Sequence, residues 1–218
     1  EWYNTFSGSH IGMLLVGNVD NSKRITPLDE RKKEVESNLR EKYAGYSRAD
    51  FLEIDILSAY KAYYKKFKKT YHVQLQLESI VLKGKSLPNV TPLVDVNFTS
   101  EMETLLLTAG HDADLLKGEI LIDVTNGSES FTQMNGNLKA LKTGDMMMKD
   151  KEGVVCTIIY GQDKRTPISP KTKRALYVVY VPEGVSKETV TLHLDKIKEN
   201  IFLFAPDAEI EYQEVYTA

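Results

Sequence analysis

A single cysteine, Cys156, stands in a chain of 218 residues, so no internal disulfide forms; a reducing compartment fits this usage. Cys156 lies within the run VVCTII, a buried strand context in which cysteine behaves as a small hydrophobe and not as a nucleophile. The four histidines (His10, His72, His111, His193) show no HxxxH, HxxEH or cysteine–histidine spacing, which argues against a zinc site. GxxxxGK[ST] and GxGxxG are both missing, so an ATP-driven ligase is unsupported and no cofactor is implied. No apolar run approaches the ~20 residues needed to span a bilayer. Ile11 to Gly17 (IGMLLVG) is short and lacks basic flanks, so it reads as a buried strand and not a signal peptide. Cytoplasm is the default location, and no membrane partner is expected. An excess of positive charge is lacking too: the net charge is -3. A general nucleic-acid binder is usually basic, so DNA is not expected as a partner and any RNA contact must come from a local patch. The chain starts at Glu1 and not at Met, so further native residues are expected ahead of it.

What is present is ordinary for a globule, with 42% apolar and 27% charged residues. After the Ile11–Gly17 strand, Thr26-Pro27-Leu28-Asp29 predicts a helix start, with Thr26 as cap and Pro27 in the first turn. Val35, Leu39, Tyr43 and Tyr46 share its face, and Gly45 is a stop. Ser47 to Asp50 repeats the capping pattern. The helix it opens is expected to carry Leu57, Tyr60, Tyr64, Phe67 and Tyr71 as one continuous stripe. Gln74 to Lys83 fits either element and is read as helix. Pro88 and Pro92 bracket a turn. Pro92 to Leu107 is read as a helix with Val94, Phe98, Met102 and Leu105 inward, followed by a Gly-His-Asp-x-Asp turn.

From Glu119 the pattern changes to short strands: Glu119–Val124, Ser130–Met134, Asp145–Lys149, Val154–Tyr160 and Ala175–Val181. Asn135-Gly136 and Glu152-Gly153 mark hairpin turns. A helix follows over Ser186–Ile201, and Ala208–Tyr216 alternates like an edge strand. Helices dominate the first half and strands the second. That segregation predicts an α+β fold, not alternating βαβ units. The expected organisation is one domain over 1–218, with the N-terminal strand and helices (1–78) packed on a core from 79 to 218.

Leu87-Pro88, Pro92-Leu93-Val94-Asp95, His111-Asp112, Gly118-Glu119-Ile120 and the passage from Thr166 to Tyr180 occur in a fixed order. That order resembles the B3/B4 domain of the phenylalanyl-tRNA synthetase beta subunit, and most closely its stand-alone relatives. The resemblance implies a layered β/β/α sandwich with an N-terminal helical part. It implies tRNA or aminoacyl-tRNA as partner, and hydrolysis of wrongly charged product as activity. The synthetase's own catalytic motifs belong to another domain and are missing, so the chain is not a complete tRNA ligase. The chain also departs from the family pattern. Asn97 falls where the synthetase domain has Thr, and Phe98 replaces its Asn.

On this resemblance His111, Asn97 and Asp163 are the expected catalytic residues, orienting water and substrate. Thr99, Gln162, Arg165 and Thr166 are expected at the substrate, with Arg165 near a terminal phosphate or ribose. For Asp163 and Arg165 the plain alternative is a paired surface loop, and for Phe98 a core position. The run Lys61-Ala-Tyr-Tyr-Lys-Lys-Phe-Lys-Lys-Thr-Tyr71 nominates Lys65, Lys66, Lys68 and Lys69 for RNA. Its plain reading is the wet face of an amphipathic helix. Three functions stay open: a free-standing hydrolase of aminoacyl-tRNA esters, a non-catalytic RNA- or protein-binding module, and a pocket for free amino acids.

Overall fold

A computed structural model of the chain describes residues 1–23 and 25–218. Two antiparallel sheets lie at its centre. The first joins β1 (His10–Gly17), β2 (Leu107–Asp112), β9 (Ala175–Val181) and β10 (Glu209–Thr217) in the order β10-β1-β9-β2. The second joins β3 (Leu121–Val124), β6 (Met146–Asp150), β7 (Gly153–Thr157) and β8 (Gly161–Gln162) in the order β3-β6-β7-β8. A hairpin, β4 (Ser130–Thr132) and β5 (Leu138–Ala140), has its own small cluster of Phe131, Leu141, Met147 and Val154. Helices α1 (Trp2–Thr5), α2 (Thr26–Lys42), α3 (Arg48–Phe51), α4 (Asp55–Lys65), α5 (His72–Lys83), α6 (Pro92–Thr104) and α7 (Lys187–Phe202) complete the α+β architecture.

Strand β9, ALYVVYV, is buried along its whole length. A strand apolar at every position must be covered on both faces. On one face α7 comes so close to β1 that a Cβ on Gly12 would sit 2.8 Å from Val190 Cγ1, so only glycine fits there. On that side the Tyr177 hydroxyl donates to the Leu93 carbonyl of α6 at 2.8 Å. On the other face Tyr180 lies beside Cys156 of β7.

The aromatic stripe of the early helices clamps these layers together. Tyr60 Oη donates to the Tyr180 carbonyl at 2.6 Å, Tyr64 Oη to the Ile158 carbonyl at 3.1 Å and Tyr71 Oη to the Leu105 carbonyl at 2.9 Å. Tyr63 Oη donates to Asp145 Oδ1 at 2.7 Å. Tyrosine suits this role because its ring fills the core while its hydroxyl satisfies a buried acceptor. The rings of Tyr60 and Tyr71 stack 4.1 Å apart.

The order Pro-Leu-Val-Asp has a structural cause. Buried Asp95 accepts from the Val90 N–H at 2.8 Å and from Lys32 Nζ at 2.9 Å, which pins the proline-bounded turn to α2. Lys32 also donates to the Pro88 carbonyl and Asn89 Oδ1, both at 2.6 Å, so the buried charge pair is fully coordinated. Asn21 caps α6 from a distance by accepting the Leu93 N–H at 2.8 Å.

Several sequence expectations change. The single long helix after Ser47 is two: the Ser47–Asp50 capping box opens only the one-turn α3, and α4 begins at Asp55. Phe67 and Tyr71 are buried but lie beyond α4. Thr26 stands inside α2, whose cap position is Ile25. Residues 107–112, expected as helix end and turn, form β2, because α6 stops where Leu105 takes a left-handed φ of 64. Within α6, Val94 and Phe98 are only half-buried.

Candidate functional site

The outer edge of β2, bridged to Pro167 at His111, faces a cavity of about 440 Å³. Helix α6 supplies Val94, Asn97 and Phe98; β7 and β8 supply Thr157, Gly161 and Gln162; Pro167 and Ile168 close it. A Cβ on Gly110 would lie 2.8 Å from Ile168 Cδ1, so glycine lets this wall reach β2. Thus α6, β2 and the connection following β7 converge on one hollow. Among the described residues the lining is mainly apolar and contains no carboxylate, lysine or arginine.

The polar atoms are few and specifically placed. Thr108 turns its N–H and C=O to this outer edge of β2. Glu101 Oε1 accepts the N–H at 2.9 Å, and Asn97 Nδ2 donates to the C=O at 3.2 Å. The two-residue alternation of a strand turns the Gly110 N–H to the same edge. Asn97 Oδ1 is buried without a hydrogen-bond partner, and so is Tyr180 Oη beside the Cys156 thiol; both residues line the cavity. Unpaired buried polar atoms are uncommon and costly, and a ligand is one reason to retain them.

His111 sits behind this wall, fully buried on β2. Its Nδ1 lies 2.9 Å from Thr166 Oγ1 and 3.1 Å from Gln162 Nε2, and that amide also donates to the Thr166 carbonyl at 2.7 Å. Read as acceptor of the Gln162 amide, Nδ1 leaves the ring proton on Nε2, which no group pairs. Burial pulls the imidazole down to about 3, so His111 is neutral at physiological pH. Burial pushes the Cys156 thiol up to about 12, which leaves it inert.

The protein-family model for the B3/4 domain matches residues 57–201, well over half of the chain. The chain belongs to the B3/4 domain family. No curated protein sequence matches it. Among solved structures, this B3/4 domain is similar to an N-terminal fragment of the phenylalanyl-tRNA synthetase beta-subunit from Pyrococcus horikoshii. The identity is 15% and the TM-score 0.48, over 60% of this chain and 47% of that one. The match thus spans less than half of the solved chain.

Not every residue expected at the site reaches this B3/4 cavity. Asn97 and Gln162 line it, with His111 and Thr166 directly behind Gln162. Asp163 and Arg165 are placed elsewhere. Asp163 accepts from the Arg165 N–H at 2.7 Å and the Thr132 N–H at 3.2 Å, which ties the β4–β5 hairpin to β8. Arg165 forms a fork with Asp150 at 3.2 Å and also meets Glu152 and Asp163, both at 3.2 Å. A guanidinium with three carboxylates around it repels a phosphate and does not recruit one. Thr99 is buried, its hydroxyl donating to the Asp95 carbonyl one turn back at 2.7 Å. Asp112, beside His111 in sequence, accepts from Thr172 Oγ1 at 2.6 Å and makes no pair with the imidazole.

Sequence reasoning did not single out Thr108, Gly110, Tyr180 or Glu101. Glu101 is buried beside Asn97, and burial pushes its carboxyl up to about 8 against the Thr108 N–H, which favours the charged form. The local signal was weak. A glutamate in a helix reads as solvent-facing, and only knowledge that α6 lies between a sheet edge and α7 turns it inward. Phe98 sits on the cavity wall and not in the closed core.

Proposed function

We propose that this B3/4 domain hydrolyses an ester-linked aminoacyl group carried by tRNA. The observation that carries the reading is the unpartnered Asn97 Oδ1 at the edge of an uncharged hollow large enough for an amino-acid side chain. An aminoacyl ester is already activated, so the reaction needs an oriented water and a donor for the developing oxyanion, not a catalytic triad. Asn97 Oδ1 accepts from the attacking water. The Gly110 N–H on the β2 edge faces the ester oxygen as negative charge builds there. Gln162, held by His111 and Thr166, orients the substrate, so His111 is a positioning residue and not a base. The whole chain, 1–218, acts as one such domain, since β1 is an internal strand of the sheet that carries β2.

The test is release of amino acid from a panel of mischarged tRNAs by the purified chain. Asn97→Ala is expected to lower kcat at least tenfold, and His111→Ala severalfold. No release from any tRNA in the panel overturns the reading. A second reading, an amino-acid-binding pocket without turnover, draws support from a lining whose one imidazole, His72, is pushed toward its neutral form by burial. A rise in melting temperature with free amino acids, and no ester release, would decide for it.

A further inference from the structure

A second hollow, of about 540 Å³, opens on the far side of the turn that precedes α5. Arg48, Lys61, Lys65, Lys68 and Lys69 line it, and no carboxylate does. Among the described residues none of these four lysines enters an ion pair, and all four are exposed. Glu78, bonded to two residues of this lining, is held by Arg48 Nε at 3.3 Å and Gln74 Nε2 at 2.8 Å. Lys66 belongs to the other side of the helix, over the Tyr63 ring in a separate recess with Glu183. The lysine run is therefore divided: its members at 61, 65, 68 and 69 gather in one groove and the member at 66 does not.

The geometry joins this groove to the reaction cavity. Thr70 and Tyr71 line the groove, and the next residue, His72, lines the cavity. The two hollows share one turn of backbone between them.

We infer that the Arg48–Lys61–Lys65–Lys68–Lys69 groove binds the phosphodiester backbone of an RNA strand whose end passes over the Thr70–His72 turn into the cavity. Four unpaired lysines beside Arg48, with no carboxylate in the lining, suit a repeating anion, and the cavity beside them, which has no carboxylate, lysine or arginine in its lining, suits a neutral terminal group. On a protein of net charge -3, such a groove also orients an approaching polyanion. The RNA identity of the partner rests on the hydrolase reading above; the groove's preference for a polyanion does not.

The experiment measures binding of deacylated tRNA by fluorescence anisotropy over a salt series, together with ester release from two substrates. One substrate is aminoacyl-tRNA; the other is the aminoacyl ester of adenosine, which has no phosphodiester. The variant Lys65→Gln/Lys68→Gln/Lys69→Gln is expected to bind tRNA roughly tenfold to a hundredfold more weakly, with a log–log salt slope shallower by about 2. It should release the adenosine ester at the wild-type rate. Lys66→Gln should bind within about twofold of wild type. Circular-dichroism melting confirms that both variants fold. Unchanged affinity and slope in the triple variant overturn the groove, whatever happens to hydrolysis. Displacement of tRNA by polyglutamate at equal charge also overturns it, since the site would then take acidic protein. If the groove behaves as expected and neither ester is released, the hydrolase reading fails and the RNA groove stands.

Discussion

The cavity wall and the Arg165 knot meet at one peptide unit, Gln162–Asp163, and treat their polar atoms in opposite ways. On the cavity side, Asn97 Oδ1 and Tyr180 Oη are left without partners. On the knot side every donor of the Arg165 guanidinium faces a carboxylate or a carbonyl, and Asp163 accepts from two backbone N–H groups besides. Satisfied polar groups stabilise and unsatisfied ones wait for a ligand. Charge therefore gathers where the fold needs a staple, and neutrality where a substrate has room. Four substitutions test that division, in falling order of expected effect.

Asp163→Ala should lower unfolding free energy by about 3 kcal/mol, because it strands part of a buried ion network. Ester release per folded molecule should not change; a large fall in kcat in the folded fraction would return Asp163 to the chemistry. Val94→Trp fills the cavity from α6. It should cut ester release about a hundredfold, a barrier change of about 2.7 kcal/mol, with the melting temperature held. Retained turnover in this variant would show that the reaction occurs elsewhere.

Glu101→Gln probes the carboxyl behind Asn97. Its folded value of about 8 exceeds the ordinary 4.5, so its stabilisation is complete below about pH 4.5 and is lost as pH rises through 8. His111 and His193, held near 3 by burial, lose stability only as pH falls below about 6.5. Between pH 6.5 and 8 the wild type should therefore lose roughly 2 kcal/mol relative to Glu101→Gln, as chemical denaturation at several pH values would show. Parallel curves would mean that Glu101 ionises normally. Smallest is Tyr180→Phe, which removes an unpaired hydroxyl. Stability should move by no more than about 0.5 kcal/mol, while the affinity for a polar amino acid falls. A large loss of stability would reveal a partner for that hydroxyl.

Much of the fold was legible because its signals are local. The β9 run, the Glu152-Gly153 turn and the helix expected over Ser186–Ile201 each stand where periodicity and turn chemistry put them. What escaped depends on contacts distant in sequence. β2 looks like the tail of a helix until β9 is available to pair with it. Asp163 and Arg165 look like substrate ligands until Asp150 and the β4–β5 hairpin come beside them. The candidate site was legible in Asn97, Gln162 and His111 through resemblance to a family. Thr108 and Gly110 were not, since what they offer is backbone at a sheet edge, and one-letter codes do not display backbone.

The placement of β1 has a consequence for how the chain is made. Its neighbours are β9 and β10: His10 pairs with Val181 on one side and Thr217 on the other. On the ribosome this apolar strand emerges long before either of its partners, β9 and β10. Such distant pairing slows folding and leaves hydrophobic surface uncovered meanwhile. Nascent chains arrested before residue 175 should accordingly bind a holdase chaperone through the β1 segment, and synthesis past β10 should end that association.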